Sequence, residues 1–168
     1  MAVALPRMVE GAVSDLVAHL RAQLNGYIGV VYDDESDKTV NLPPVDRYYI
    51  AEGIEPLQLP AVFVVTDRSE HRLLVQNAAA QVHTVFVALV AEDLEVQRLQ
   101  QKMWRYGRAL WLALHDRSIG DGDAIVLVRG LDYGPTLRTV VQQAGQRAFR
   151  KDVVVRCEVQ HYEAFALI

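Results

Sequence analysis

Hydrophobic and polar positions change their period in the middle of the chain, and the change predicts two joined elements. Residues 81–91 alternate between two side-chain faces, as in a β-strand, whereas apolar residues in 92–115 recur every three or four positions, as on an amphipathic helix. The apolar stripe of that helix comprises Val96, Leu99, Met103, Tyr106, Leu110 and Leu114. A long strand that leads directly into a long helix is typical of a helix packed on a mostly antiparallel sheet.

The same reasoning predicts a second helix and several further strands. Residues 8–24 have the helical period, and Asn25-Gly26 is a plausible stop because Gly accepts the left-handed conformation that ends many helices. Short strands are predicted at 27–32, 61–66, 124–128 and 137–141, and residues 72–76 begin either another strand or a bulge before the strand at 81–91. Residues 152–163 alternate strictly. In this last strand Val153, Val155, Cys157 and Val159 should face the core, and Arg156, Glu158 and Gln160 should face away.

Residues 33–60 interrupt the regular pattern. They begin with an acidic, turn-like cluster and then contain four of the six prolines, which remove backbone donors. The acidic cluster comprises Asp33, Asp34, Glu35 and Asp37. We therefore expect a single α+β domain over residues 1–168, with two long helices on one face of a mostly antiparallel sheet. Residues 33–60 should form a Pro-rich extended arm, ordered mainly by contact with a neighbouring subunit.

Composition and charge exclude several classes of protein. The net charge of −4 argues against a surface built to grip nucleic acid, and the single cysteine, Cys157, excludes an intrachain disulfide and fits a reducing compartment. The longest apolar run, 85–91, is far shorter than the roughly 20 residues of a membrane span. The first residues are too few for a signal sequence, so we expect synthesis in the cytoplasm and no membrane partner.

Candidate metal ligands do not have suitable spacing. Cys157 and His161 share a strand face, but four residues of strand separate them by roughly 13 Å, too far to share one zinc ion. His161 and Glu163 are closer, but a third ligand has no obvious source. The acidic turns at 121–123 and 33–37 lack the twelve-residue loop of an EF-hand. We expect no bound metal.

Catalytic and phosphate-binding motifs are equally weak. The four serines are Ser14, which falls in the first helix, and Ser36, Ser69 and Ser118, which fall in polar turns. None has the Gly-x-Ser-x-Gly arrangement of a nucleophile, and His115-Asp116 is explained by the end of the second helix. The glycines at 120–122 and 130–134 lack the Lys-Ser/Thr of a phosphate loop. We therefore expect no catalytic residue and no cofactor.

Two further groups of residues leave alternatives open. Arg147, Arg150 and Lys151 could touch nucleic acid or an acidic partner, but a hairpin turn with solvated charges is the simpler interpretation.

Trp104 and Trp111 are seven residues apart on one flank of the second helix, with Gly107 between them. This flank is either part of a wide core face or a subunit interface, where Trp is enriched. Tyr48 and Tyr49, in the Pro-rich arm, raise the same question.

The order of elements resembles a known family. The strand–helix unit Val82–Leu114 and the late strand 152–163, with sequence DVVVRCEVQHYE, are similar in layout to the tail terminator (tail-completion) proteins of long-tailed bacteriophages. That resemblance implies a homo-hexameric ring that caps the tail tube and joins it to the head connector, in the tail or neck of a virion. Its partners would be other copies of itself, the tail tube protein and the connector or stopper protein. DNA would pass through the ring without specific binding.

The resemblance implies no catalytic residue and leaves two alternatives. A relative such as another neck protein has the same general layout, and an α+β enzyme or small-ligand-binding domain with an unrecognised pocket belongs to a different class. If the ring is correct, an acidic lining would let DNA pass, since basic groups would bind phosphate. The acidic cluster, with Asp33, Asp34, Glu35 and Asp37, is then the expected lumen-facing segment.

Overall fold

The structure is a computed structural model, and it describes residues 9–50, 58–75, 78–134, 137–141 and 145–164. These residues form two helices and seven strands. The helices are α1 (Val9–Asp34) and α2 (Val96–Leu114). The strands are β1 (Arg47–Tyr49), β2 (Ala61–Val75), β3 (Ala78–Asp93), β4 (Arg117–Ile119), β5 (Ala124–Asp132), β6 (Arg138–Val141) and β7 (Arg147–Ala164).

The strands form one curled sheet of order β1-β2-β3-β7-β5-β4. Every pairing is antiparallel except that of β1 with β2. β5 and β6 pair with successive stretches of β7, so β6 extends the sheet beyond the end of β5. The predicted α+β fold with a mostly antiparallel sheet is confirmed.

Both helices lie on one face of the sheet. In the central strands, cross-strand neighbours such as Val87 and Val155, or Leu89 and Val153, are all fully buried on that face. Cys157 and Val159 continue the buried row, whereas Arg156 is exposed and Glu158 and Gln160 are partly exposed. The predicted alternation of the last strand is therefore confirmed.

α1 is longer than its sequence signals indicate. It continues through Asn25-Gly26 to Asp34, so the predicted stop and the predicted strand at 27–32 are both wrong. Two features explain the continuation. Ile28 and Val31 keep the helical spacing and are buried in the core. The Asn25 side chain, instead of ending the helix, accepts a hydrogen bond from the Val45 amide at 2.8 Å and donates one to its carbonyl at 3.0 Å.

The strands are also longer than expected. The segments predicted at 61–66 and 72–76 belong to a single strand, β2, which ends at Val75; residue 76 lies outside the described residues. Polar residues obscured this strand. Among the described residues, β2 pairs on one side only beyond Phe63, and such an open edge tolerates charges that a strand paired on both sides does not. β4 was not predicted, and the predicted strand at 137–141 corresponds to β6.

The first part of the Pro-rich segment is irregular, as predicted, and is anchored on the core. Val40, Leu42 and Val45 are buried, and the Tyr106 hydroxyl donates a hydrogen bond of 2.7 Å to the Pro43 carbonyl. These contacts hold the segment within its own subunit. Residues 51–57 of the predicted arm lie outside the described residues, and ordering by a neighbouring subunit remains a prediction.

Candidate interaction surface

α2 has two unlike faces. Its inner face is fully buried in the core and comprises Leu99, Met103, Tyr106, Ala109, Leu110, Ala113 and Leu114. Its outer face carries Trp104 and Trp111, which are 52% and 43% exposed, with the exposed Arg108 between them. The interpretation of the two tryptophans as part of a wide core face is therefore wrong.

An open groove of about 540 Å³ lies beside the two tryptophans. Leu131 and Tyr133, at the end of β5, form part of its lining together with Trp104 and Trp111. The sequence pattern does not reveal Leu131 and Tyr133, because the pairing of β5 with β7 brings them beside α2 from about 20 positions after Trp111. The result is an aromatic surface of the kind enriched at protein interfaces.

Gly107 has a different role from its tryptophan neighbours. A Cβ atom at this position would lie 2.8 Å from Cε1 of Tyr133 and 3.2 Å from the Val153 side chain. Gly107 therefore lets the Tyr133 ring, not another backbone, approach α2 closely. This contact within the chain accounts for the glycine, and an additional role in a subunit interface stays a prediction.

The acidic cluster lies at the C-terminal end of α1, beside the groove. Asp33 and Asp34 belong to the last helical turn, so the predicted turn begins later than expected. Arg108 binds Asp34 at 2.6 Å and Glu35 at 3.4 Å, which joins the end of α1 to the outer face of α2. Carboxylates at a helix C-terminus are unfavourable for the helix dipole, and these arginine contacts offset that cost.

Asp37 is held by its own turn. Its carboxylate accepts hydrogen bonds from the Thr39 hydroxyl at 2.5 Å and the Thr39 amide at 2.9 Å. These bonds, with a smaller effect from Arg105, lower the pKa of Asp37 despite an opposing effect of desolvation. Arg105 also donates to the Asp37 carbonyl at 2.8 Å. Whether the cluster faces a lumen stays a prediction.

Tyr48 and Tyr49 lie on β1 at one edge of the sheet and are half-buried. The Tyr48 hydroxyl is 3.4 Å from the Leu20 carbonyl, Arg21 lies over its ring, and burial raises its pKa to about 12. Tyr49 stacks on Phe63 with ring centroids 5.1 Å apart. Both rings therefore pack partly on their own chain, and their contribution to an interface stays a prediction.

A partly buried ionic network fixes the start of α2. The Asp93 carboxylate accepts hydrogen bonds from Arg98 at 2.8 Å and from the Glu95 amide at 3.1 Å, and it contacts Lys102 at 2.8 Å. Burial alone would raise the pKa of Asp93, but the bonds from Lys102, Glu95 and Arg98 together outweigh it and lower the pKa. The network positions the helix that carries the tryptophans.

The basic residues before the last strand are part of β7, so the predicted hairpin turn at this position is wrong. The guanidinium of Arg150 binds Glu92 at 2.5 Å, and Lys151 donates to the Gln100 side chain at 2.5 Å. Arg147, at the first position of β7, is exposed. Most of this positive charge is therefore used to tie β7 to its neighbours.

Polar side chains also meet at the far end of the sheet. The hydroxyl of Ser69, which lies on β2 and not in the predicted turn, is 2.7 Å from Nδ1 of His83. His83 and His161 are both 1% exposed, and their rings meet edge to face at 5.6 Å. Ser118 also lies on a strand, β4, whereas a turn was predicted. Burial raises the pKa of Cys157 to about 12, so its thiol stays protonated.

Two general findings concern the described part of the chain. There, no three His, Cys, Asp or Glu side chains lie close enough together to hold a metal ion. Neither of the two helices in that part is long and apolar enough to cross a membrane.

Comparisons with known proteins include a likeness to a solved structure. No protein-family model matches the chain, and no match was found among curated proteins. Among solved structures, a chain of the virion of a native gene transfer agent particle is similar over 84% of this chain and 97% of its own length. The sequence identity is 13% and the TM-score is 0.32. At that level the likeness carries no functional argument, so function must be inferred from the surfaces of the protein itself.

Proposed function

We propose that the protein is a structural subunit of a phage-like particle, and specifically that it forms a ring that caps the tail tube and joins it to the head connector. The observation that carries this proposal is the aromatic groove on α2. Trp104 and Trp111 are both about half exposed, and neither is needed to fill the core. Tryptophan is strongly enriched among the residues that dominate binding energy at interfaces.

The sheet provides a second surface for association. β1 covers only Ala61–Phe63 of the outer edge of β2. Within the described residues, no strand pairs with that edge between Val64 and Val75. Unpaired N–H and C=O groups on such an edge can be satisfied by a neighbouring chain.

The order of elements supports the specific role. A long strand, β3, leads through two residues into α2, and a long alternating strand, β7, is the last element in chain order. This is the layout on which the resemblance to tail terminator proteins rests. A closed ring uses heterologous contacts, in which one patch meets a different patch on the next copy. Six copies and a passage for DNA follow from the resemblance, and the acidic cluster remains the proposed lumen-facing segment.

The proposal is tested by deleting the gene in the strain that makes the particles and imaging the products. Without a cap, tail tubes should lose their defined length and should fail to join heads. Supplying the wild-type protein should restore both features, and labelled antibody should bind at the junction of head and tail. Normal particles in the deletion strain would contradict the proposal.

A catalytic alternative rests on one contact, the 2.7 Å distance between Ser69 Oγ and His83 Nδ1. A serine beside a histidine is the minimal arrangement of an activated nucleophile. However, Ser69 and His83 are direct cross-strand partners, and such pairs commonly form for stability alone. A fluorophosphonate probe that labels the wild type but not Ser69→Ala would favour the enzyme, whereas no labelling of either would favour the structural protein.

A further inference from the structure

We propose that His83, His161 and His71 bind one divalent transition-metal ion of the zinc type, and that this ion ties three neighbouring strands together. The inference goes beyond the proposed function and does not depend on it. The three residues belong to β3, β7 and β2, respectively. They are three of the five histidines in the chain.

Two of the ligands are buried side chains that lie next to each other. His83 and His161 are each 1% exposed, and their ring centroids are 5.6 Å apart. A zinc–nitrogen bond of about 2.0–2.1 Å and a tetrahedral angle place the centroids of two coordinated imidazoles roughly 5–6 Å apart. The observed spacing of the rings therefore matches that of two ligands of one ion.

The third ligand is assigned from the register of the sheet. Gln81 on β3 lies directly between His71 on β2 and His161 on β7. His83, two residues after Gln81, is therefore the diagonal neighbour of both positions, and diagonal neighbours are about 7–8 Å apart. Because positions two apart along a strand share one side of the sheet, all three histidine positions lie on one side. Three histidines with a water are a known ligand set for zinc.

Spacing along a single strand hides this arrangement. Along β7, His161 has only Cys157 and Glu163 as possible neighbours, which is why the sequence pattern predicts no metal. Pairing across strands supplies His83 and His71 instead. No three potential ligands come together among the described side chains, so the assignment of His71 rests on the strand register.

Ser69 provides the support that a ligating histidine needs. Its hydroxyl is 2.7 Å from Nδ1 of His83. When Nδ1–H donates to Ser69, the lone pair of the His83 ring is on Nε2, the nitrogen that would bind the ion. Ligating histidines usually use their second nitrogen for such a bond, which fixes the orientation and the tautomer of the ring. The contact then has an orienting role and not a nucleophilic one.

The surroundings of the two rings suit a structural ion. The core face of β3 is apolar at Val85 and Val87 and becomes polar at His83 and Gln81, while burial stays nearly complete. Histidine and glutamine are usually more exposed than this. A bound ion would give the buried imidazoles a stabilising role, because metal binding to a folded site adds to the free energy of folding.

Titration with cobalt(II) tests the site directly. Protein that has been freed of metal with EDTA and then dialysed should bind a single Co²⁺ ion per chain, with the visible absorption of a tetrahedral complex. Zn²⁺ should displace the cobalt. Zn²⁺ should also raise the melting temperature, because an ion that binds only the folded chain stabilises it.

Variants of the ligands locate the ion. His83→Gln, His161→Gln and His71→Gln should each weaken the affinity for Co²⁺ at least about 100-fold. Ser69→Ala, which removes only the orienting contact, should weaken it about ten-fold. Because Ser69→Ala removes no ligand, it keeps the test valid if a histidine variant does not fold.

His115→Gln is the matched control. His115 lies at the C-terminal end of α2 and stacks on Trp111, so its replacement should leave the affinity for Co²⁺ unchanged. A wild-type protein with no cobalt spectrum and no zinc-dependent rise in melting temperature would overturn the inference. An equal loss of affinity in His115→Gln would also overturn it, and wild-type affinity in His71→Gln would overturn the assignment of the third ligand.

Discussion

The inner and outer faces of α2 are built from the same helix but have opposite relations to the fold. On the inner face, Leu99, Met103 and Leu110 are completely buried. On the outer face, Trp104 and Trp111 are large and apolar yet remain about half exposed. The inner face is explained by the stability of the subunit, whereas the outer face makes peripheral contacts such as the stacking of Trp111 on His115 and leaves much of both tryptophans exposed. From this difference we propose that the outer face serves a contact outside the chain.

The largest effect on stability should come from the inner face. Leu110→Ala removes a fully buried side chain and leaves a cavity, so the free energy of unfolding should fall by about 2–5 kcal/mol. Denaturant unfolding monitored by circular dichroism measures this change. A loss below about 1 kcal/mol would show that this face is not packed as described.

The ionic network around Asp93, at the start of α2, should have a smaller and pH-dependent effect on stability. Asp93→Asn weakens charge-assisted hydrogen bonds to Arg98 and Lys102, which should cost about 1.5–3 kcal/mol at neutral pH. The pKa of Asp93 is lowered in the folded protein, so its contribution is complete above the unfolded value of about 4. It is lost as the pH falls through the lower folded value. The difference in the free energy of unfolding between the wild type and the variant should therefore be constant between about pH 5 and 7. It should disappear in more acidic solution. A difference that persists undiminished at about pH 2 would contradict the assignment.

Gly107 and Gly29 form a matched pair of helical glycines. Replacing Gly29 by Ala meets no atom within 4 Å and should stabilise the protein by roughly 0.5–1 kcal/mol through helix propensity. The same change at Gly107 places Cβ 2.8 Å from the Tyr133 ring, so overpacking should outweigh that gain and destabilise the protein by about 1 kcal/mol. Thermal melts of the two variants should move in opposite directions, and equal shifts would contradict the close approach of Tyr133.

The smallest effect on the isolated subunit should come from the outer face. Trp104→Ala with Trp111→Ala removes side chains that are about half exposed, so unfolding at low protein concentration should change by less than about 1 kcal/mol. The same variant should nevertheless fail to assemble, as sedimentation or native mass spectrometry would show. Comparable losses of stability and assembly would mean that the outer face supports the fold itself.

The sequence correctly predicted the elements whose hydrophobic periodicity agrees with the side chains that are buried in the structure. The alternation of Val153, Val155 and Cys157 identified the core face of β7 because a half-buried strand has a period of two. The continuation of α1 was missed because Asn25-Gly26 is a strong local stop signal. The burial of Ile28 and Val31 in the tertiary structure overrides that signal.

The candidate site was also only partly predictable, because its surroundings are set by tertiary packing that local sequence signals do not show. The helical period placed Trp104 and Trp111 on one flank, but it could not show what lies opposite them. The exposure of that flank depends on where α1 and the end of β5 pack, and those positions are set by long-range pairing between β5 and β7. The acidic cluster was visible in the sequence, whereas its ion pairs with Arg108, more than 70 positions away, were not.

The most direct test of the outer face is the fluorescence of tryptophan itself. Trp104 and Trp111 are the only tryptophans in the chain, so all of the tryptophan emission reports on the groove. In dilute, unassembled protein, acrylamide should quench this emission efficiently and the spectrum should be that of partly solvated indole. When copies assemble into rings or particles, quenching should fall sharply and the emission should move to shorter wavelength. Unchanged quenching and emission in the assembled particle would contradict the proposal that a partner covers this face of α2.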